Sequence, residues 1–381
     1  MFLKNLTFEK FFDVLKLCVS ARTLRRPRGY IRINIFFIVL TIIFIFVIAS
    51  VICYIKRSIY DDNAKFILFV LAVCCILGYS KIILKNFASV PFYAEYQRLM
   101  DWIEELQQIE DDNEIIRKIF KEELTKAMKY SLMCFEGYFW LFIVCSSSAE
   151  CIPVFEKDTT MFIPYLDVKS YKWIHHICDA LSFFGAGTWN VFADSGAVII
   201  GIYIIFFMRI IKRMIELLNQ DGIMEKYPDL LIRILRKHVE MIEVLNIFNE
   251  SVKMLSFIQI FMSTGLLLMF IMIIQVQKNS FMNYVILVGV TDQLGLLCIF
   301  GEIIRTESES IFTSLYLTKW YDLSVRNQKI LLIMMMNSYK PFGLKAAGMI
   351  DVTFMTFVQV ITIFLKLIFQ KFLFYFFVSD P

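Results

Sequence analysis

The chain has 381 residues, of which 58% are hydrophobic, 16% aromatic and only 19% charged, and its mean hydropathy is +0.64. Because soluble domains usually carry about a quarter charged residues, this composition excludes an ordinary water-soluble fold and favours a bilayer as the solvent. The net charge of +4 is spread along the chain, so no nucleic-acid-binding tail is indicated. With seven prolines and no Gly/Ser-rich linker, residues 1–381 are interpreted as one membrane domain.

Seven stretches are long and apolar enough to cross a bilayer, which takes about 20 mostly apolar residues. They cover residues 33–55, 66–84, 130–149, 180–208, 254–277, 280–300 and 352–378. Each must be helical, because lipid offers no partner for free backbone N–H and C=O groups. The predicted fold class is therefore an all-α membrane protein with seven transmembrane helices.

Lysine and arginine set the predicted orientation. Arginines crowd the entrance to the first span, at Arg22, Arg25, Arg26, Arg28 and Arg32. The exit of that span carries Lys56 and Arg57 beside two aspartates. This bias places the N-terminal segment, residues 1–32, in the cytoplasm and the C-terminus outside, which is the inverse of a G-protein-coupled receptor. The long segments 85–129, 209–253 and 301–351 are then cytoplasmic.

Amphipathic patterns run through the segments outside the spans. Near the N-terminus the apolar residues are Leu3, Leu6, Phe11, Val14 and Leu17, which fits either a short helix at the membrane interface or a plain basic tail. In the inner segments the patterns are Met100, Ile103, Leu106, and Leu230, Ile234, Val239, Ile242, Leu245. They predict helices that extend the spans into the cytoplasm, either for contact between subunits or for packing within one.

Ionisable residues also occur inside the apolar spans. Glu136, Asp194 and Asp292 are expected to face the bundle interior, in a structural polar network or along an ion path, with Lys81 as a candidate partner. In the last span Lys366 and Lys371 either face water or extend towards the headgroups. The sequence does not decide between these alternatives.

The predicted outer loop, residues 150–179, holds two cysteines and two histidines. Cys151 and Cys178 lie where oxidation is possible, so they either form a disulfide or stay free. His175 and His176 are adjacent and lack a completing Cys or carboxylate, so no metal site is predicted. Walker, Gly-x-Ser-x-Gly and His-Glu-x-x-His motifs are missing from the sequence, and neither an enzyme nor a cofactor is expected.

The last 70 or so residues contain a sequence motif made of aromatic residues, a Lys-Pro pair and an Ala-Gly pair. Tyr316, Trp320 and Tyr321 lie in "SLYLTKWYDLS", and Lys340, Pro341, Ala347, Gly348 and Phe357 lie in "RNQKILLIMMMNSYKPFGLKAAGMIDVTFMTF". Together with the outer loop "MFIPYLDVKSYKWIHH", this pattern resembles the insect odorant receptors, and size, inverted topology and loop lengths agree over nearly the whole chain. The chain is too short for the shared co-receptor. Its "VTFMTFVQVITIF" differs from the gustatory ending, and its "FLKLIF" departs from the Tyr-Ser-Tyr-Phe-like run of many odorant-specific receptors.

The resemblance implies a function. A chain of this family is expected to be the odorant-binding subunit of a heteromeric, non-selective cation channel, a tetramer with the co-receptor, in the plasma membrane of sensory dendrites. The last span would line the pore, with Lys366, Gln370 and Phe374 near its narrow part. A gustatory-type chemoreceptor of the same fold and a secondary transporter are the alternatives. The prolines outside the spans argue against a transporter.

Volatile ligands need a mostly apolar cavity with few polar anchors. The outer halves of spans two, three, four and six supply such residues. The predicted ligand contacts are Phe69, Val73, Phe139, Phe142, Ile143, Ser146, Phe183, Phe184, Gly187, Thr188 and Tyr284. Each of them has helix packing or lipid contact as its alternative role.

Overall fold

The computed structural model of the protein describes residues 8–20, 35–59, 66–108, 113–155, 170–276, 281–363 and 366. Its helices are α1 (Phe8–Ser20), α2 (Ile35–Ile59), α3 (Phe66–Ser89), α4 (Tyr93–Gln107), α5 (Glu114–Phe155), α6 (Lys172–Leu217), α7 (Ile223–Lys226), α8 (Leu230–Val276), α9 (Phe281–Tyr316), α10 (Val325–Ser338) and α11 (Phe354–Ile363). Short 3₁₀ helices lie at Val90–Phe92 and Trp320–Asp322, and β1 (Lys345–Ala346) pairs antiparallel with β2 (Ile350–Asp351). The predicted all-helical class is confirmed.

The predicted spans coincide with helices. The first six lie within α2, α3, α5, α6, α8 and α9, apart from a few end residues outside the described ranges. Among the described residues, the helical stretches through α3, α5, α6, α8 and α9 are long and apolar enough to cross a membrane. Shorter apolar stretches, Thr41–Lys56 and Phe354–Ile363, lie in α2 and α11. The chain is a multi-pass membrane protein consistent with seven spans, and the side of the membrane on which each end lies stays a prediction.

Four helices are longer than a bilayer requires. α5, α6, α8 and α9 have 42, 46, 47 and 36 residues, whereas about 20 residues cross the hydrocarbon core. At their predicted inner ends α4 packs on α6 and α8, and α10 packs on α8 and α9. The amphipathic patterns are buried there at Met100, Ile103, Leu106, Leu230, Ile234 and Leu245, with Ile242 half-buried and Val239 exposed. The predicted helical extensions are therefore present as continuations of the spans.

Helix α1 packs into the bundle against α6. The ring of Phe11 stacks on that of Tyr203, 6.0 Å between centroids, and Gly196 lets the α1 backbone approach closely at Cys18. The buried face is Phe11, Phe12, Leu15, Cys18 and Val19, one continuous helical stripe. Of the residues in the predicted pattern, Phe11 lies on this stripe, Val14 is half-buried and Leu17 is 55% exposed. The first two residues of the predicted pattern lie outside the described chain.

A tight hairpin follows α10 and contains the Ala-Gly pair of the C-terminal signature. Ala347 and Gly348 have φ values of 51° and 76°, a left-handed region that costs an alanine about 1 kcal/mol and a glycine almost nothing. Ala347 N–H donates to the carbonyl of Lys253 at 2.9 Å, and Lys345 N–H donates to Asn249 Oδ1 at 3.0 Å. Both acceptors are on α8, so the turn fixes the chain against α8 just before α11 begins.

Charged pairs join α6 to α5 and α9 at the predicted inner end. Arg213 lies 2.9 Å from Glu122 and 3.0 Å from Glu123, both on α5. The hydrogen bond from Arg213 lowers the pKa of Glu122 below its ordinary value. On the other side Arg209 lies 2.6 Å from Glu307 of α9. These contacts hold three long helices together beyond the predicted edge of the bilayer.

Candidate ligand-binding site

A cavity of about 160 Å³ lies between α3, α5, α6, α8 and α9. Its wall is mostly apolar and aromatic, with a few polar groups, which is the usual form of a small-molecule site. The lining residues are Leu71, Cys74, Cys75, Gly78, Tyr79 and Ile82 of α3, Leu141, Phe142, Cys145 and Ser146 of α5, Phe183, Ala186, Gly187 and Asn190 of α6, Phe270 of α8, and Ile286, Gly289, Val290 and Gln293 of α9.

Glycines allow the helices to meet closely around this cavity. A methyl group added at Gly187 of α6 would overlap Ser146 and press on Phe142 of α5. A methyl group added at Gly289 of α9 would overlap Cys145 of α5. Close approach at small residues is the usual way in which membrane helices pack. The volume of the cavity therefore depends on these two positions remaining glycine.

Four of the predicted ligand contacts lie in the cavity wall. They are Phe142, Ser146, Phe183 and Gly187. The other seven are described by the structure but lie outside the lining: Phe69, Val73, Phe139, Ile143, Phe184, Thr188 and Tyr284. Binding of a ligand by any of the eleven stays a prediction.

The rotation of successive residues around a helix explains why some predicted contacts line the cavity and others do not. On α6 the lining residues Phe183, Ala186, Gly187 and Asn190 follow one face of the helix. Phe184 and Thr188 each come one position later, so they are turned by about 100° away from the cavity. Thr188 Oγ1 donates instead to the carbonyl of Phe184 at 2.8 Å. Ile143 is displaced from Phe142 on α5 in the same way.

Sequence reasoning missed most of the α3 wall. The residues Leu71, Cys74, Gly78 and Ile82 recur at intervals of three or four, the spacing of a single helix face. That spacing was visible in the sequence, but the small residues among them gave no sign of a cavity. Gln293 of α9 was also missed. The sign available in the sequence was a polar residue within an apolar span, next to Asp292.

Two lysines on one face of α3 make polar contacts at the predicted inner side of this cavity. Lys81, only 2% exposed, donates to Gln293 Oε1 at 2.6 Å and to Ser263 Oγ at 3.3 Å. Lys85 lies 3.0 Å from Asp194 of α6. Asp194, one of the carboxylates expected to have a partner, forms its ion pair with Lys85, whereas the candidate partner Lys81 is bonded to Gln293 and Ser263. The signal lay in the spacing of four, which puts both lysines on the same side of the helix.

Other predicted residues are placed as follows. Glu136 and Asp292 are half-buried. Cys178 lies within α6 and Cys151 lies on the last turns of α5. A disulfide between them stays a prediction, with two free thiols as its alternative. The two cysteines lie on helices because α5 and α6 extend into the segment predicted as an outer loop. His175 is buried and His176 half-buried at the start of α6.

The predicted pore residues lie at the margin of the described chain. Lys366 is helical and exposed. Gln370, Lys371 and Phe374 lie outside the described residues. The alternatives for the two lysines therefore stay open.

Comparison with known structures shows the same fold. Two structures of the insect olfactory receptor OR5 from Machilis hrabei, one in complex with eugenol, superpose with TM-scores of 0.73 and 0.74. Each match covers 94% of this chain and 95% of the other, at 12% and 11% sequence identity. At this identity the likeness concerns the fold alone.

Comparison of sequences identifies the family. Odorant receptor 85f of Drosophila melanogaster is 22% identical over 228 residues, which are 58% of this chain and 56% of that protein. The aligned part thus spans little more than half the length of that relative. The family model "7tm Odorant receptor" matches residues 65–364, from the second span to the last. The chain belongs to the insect odorant receptor family, a family of receptors and not of enzymes.

Proposed function

We propose that this protein is the odorant-binding subunit of an odorant-gated, non-selective cation channel, in which it assembles with a co-receptor subunit. The observation that carries the proposal is the apolar cavity lined by five helices, in a chain that belongs to the odorant receptor family. The plasma membrane of sensory dendrites is the corresponding location. Membrane lipid surrounds the spans, and neither nucleic acid nor a cofactor takes part.

The cavity sets the size of the ligand. Its volume of about 160 Å³ is close to that of an engineered apolar cavity of roughly 150 Å³ that binds benzene. Benzene-sized molecules are small, volatile and poorly soluble in water, so they gain by leaving water for an apolar wall. We therefore propose ligands with one ring, or a short chain of similar volume.

Assembly with other subunits is supported by apolar side chains at the predicted inner end. Large side chains are exposed on α9, α10 and the hairpin, at Tyr316, Val325, Met336, Tyr339 and Met349. These residues lie outside the predicted spans, where lipid tails do not cover them. Apolar side chains exposed outside lipid mark protein–protein contacts where they form a contiguous patch. We propose that this surface faces the neighbouring subunits of a tetramer.

The pore follows from family membership. We propose that the last span of each subunit lines a central pore, with its narrow part near Lys366, Gln370 and Phe374. A hydrophobic ring such as that of Phe374 closes a pore by dewetting, and a nearby amide supports hydrated ions. A lysine facing the pore would repel cations, so the co-receptor's residues would then carry most of the conduction.

The decisive experiment is expression in cells with and without the odorant co-receptor, with current recorded during application of an odorant panel. Odour-evoked current only in the presence of the co-receptor supports the proposal. Current from this chain alone points to a homomeric, gustatory-type chemoreceptor. Uptake of substrate without channel current points to a transporter. Surface labelling of the chain in every condition separates failure to respond from failure to reach the membrane.

A further inference from the structure

One polar side chain in the cavity wall is held in a fixed orientation. Gln293 of α9 lines the cavity, and its Oε1 accepts a hydrogen bond from Lys81 Nζ at 2.6 Å. Lysine has donors and no acceptor, so the oxygen of the Gln293 amide, not its nitrogen, must face Lys81. Lys81 is itself fixed, because it is buried and also donates to Ser263 Oγ.

Ser263 belongs to a short chain of contacts on α8. Gln259 Nε2 donates to Ser263 Oγ at 3.1 Å, and both side chains are buried. Gln259 and Ser263 are not part of the cavity wall that the described residues form. Ser263 and Gln259, which lie outside the cavity lining, therefore help to fix the position of Lys81. Lys81 in turn fixes the orientation of the Gln293 amide.

The orientation leaves the Gln293 nitrogen, with its two N–H donors, as the end of the amide available to the cavity. Donation from Lys81 to the amide oxygen polarises the amide and strengthens its N–H groups as donors. The surrounding wall is mostly apolar, and in such surroundings a hydrogen bond made or missed matters more than it does in water. A ligand gains from this arrangement only if it brings an acceptor.

On the basis of the proposed function, we propose that Gln293 determines specificity by donating from Nε2 to a carbonyl oxygen of the ligand. The ligand class is then uncharged ketones, aldehydes or esters of about one ring in size. Pure hydrocarbons of the same shape fill the cavity but leave the donor without an acceptor. Amines and other cations offer a donor where the site already has one.

The test uses pairs of probes with the same shape. Acetophenone and α-methylstyrene differ only in a carbonyl against a methylene group, as do cyclohexanone and methylenecyclohexane. In the wild-type chain with the co-receptor, the ketone of at least one pair is expected to act at a concentration roughly tenfold lower than its alkene, which is the usual effect of one buried hydrogen bond.

Gln293→Glu is the informative variant. A glutamate has the same shape and still accepts from Lys81, but an ionised carboxylate has no N–H for the ligand. The half-maximal concentration for the ketone should rise by about tenfold, while that for the alkene stays within about twofold. Gln275→Glu is the matched control, because it adds the same group on α8 outside the cavity lining and outside the contacts that join Gln259, Ser263 and Lys81. It should leave the ketone-to-alkene ratio unchanged.

Binding to the purified wild-type chain, measured as a rise in the thermal unfolding midpoint, gives a second reading that needs no channel. Larger rises with ketones than with their alkenes support the inference. Equal effects of ketone and alkene in the wild-type chain, an unchanged ratio in Gln293→Glu, or no rise with any ketone would each overturn it. Absence of any odour-evoked current while ketones still stabilise the chain would instead count against the proposed channel function.

Discussion

Lys85 of α3 and Asp194 of α6 form an ion pair in which the ammonium nitrogen lies 3.0 Å from both carboxylate oxygens. Their side chains are only 5% and 17% exposed. Tyr138 of α5 donates to the same carboxylate at 3.2 Å. One carboxylate thus joins three of the five helices that form the cavity wall.

Breaking this pair should destabilise the protein strongly. Lys85→Met leaves Asp194 buried without its cation, which costs about 3 kcal/mol or more in the free energy of unfolding. Thermal unfolding in detergent and the amount at the cell surface measure this effect. The double variant Lys85→Met with Asp194→Leu should recover most of the loss, since no charge stays buried.

The matched control is the exposed pair of Lys16 and Asp13 on α1. Lys16→Met should change stability by no more than about 0.5 kcal/mol. Equal losses in Lys16→Met and Lys85→Met would contradict the structural role of the buried pair.

Two glycines on α6 offer a matched test of the cavity. Gly187→Ala places a methyl group against Ser146 and Phe142, whereas a methyl group at Gly185 meets no heavy atom within 4 Å. Gly187→Ala should weaken odorant responses by about tenfold or abolish them, because the wall must shift into or away from the cavity. Gly185→Ala should respond as the wild-type chain does. Concentration–response curves at equal surface expression compare the two variants. Similar curves for both would count against this cavity as the ligand site.

His238 makes the stability of the contact between α8 and α10 sensitive to pH. It lies on α8 before the predicted span, and its Nε2 is 2.8 Å from Ser338 Oγ of α10. Burial lowers the pKa of His238 from 6.5 to about 4. The folded state therefore binds the proton less tightly than the unfolded state. Stability is complete above about pH 6.5 and is lost as the pH falls towards 4, by on the order of 3 kcal/mol.

His238→Gln keeps a polar partner for Ser338 and has no proton to gain. Unfolding midpoints of the purified protein should therefore fall less steeply between about pH 6.5 and pH 4 in this variant than in the wild-type chain. Parallel pH profiles for the two proteins would show that another group is responsible.

The backbone conformation of the hairpin should make a substitution at Gly348 destabilising. Its φ of 76° suits glycine, and Gly348→Ala should cost about 1 kcal/mol. The control is Gly343→Ala, where φ is not positive and a methyl group meets no heavy atom within 4 Å. Thermal unfolding midpoints compare the two. If Gly343→Ala lowers the unfolding midpoint as much as Gly348→Ala, replacement of a glycine is enough to explain the change. The left-handed turn conformation would then not be its cause.

Hydropathy and length were sufficient to predict the helices that cross the membrane. The run from Ile35 to Ile59 and the stretch within α6 contain few or no charges, so lipid leaves a helix as the only stable form. The amphipathic pattern beginning at Leu230 also predicted a long helical extension of the span, because the alternation of buried and exposed positions continues past the apolar stretch.

The cavity wall was less predictable, for physical reasons. Within a span both faces of a helix are apolar, so Phe183 and Phe184 look alike in sequence although only Phe183 lines the cavity. Lys85 appeared to lie beyond its span, because the helix end was placed at residue 84 while α3 continues to Ser89. Contacts of this kind depend on which faces of separate helices meet, which the pattern along one helix does not contain.

The length of α8 has a mechanical consequence. Its 47 residues form one rod of roughly 70 Å at 1.5 Å per residue, of which roughly 60 Å separates Phe270 beside the cavity from Leu230 at the predicted inner end. If one end of such a rod is held, each degree of tilt displaces the other by roughly 1 Å. A tilt of a few degrees at the cavity end would thereby move the other end by about an atomic diameter, with no hinge or unfolding needed.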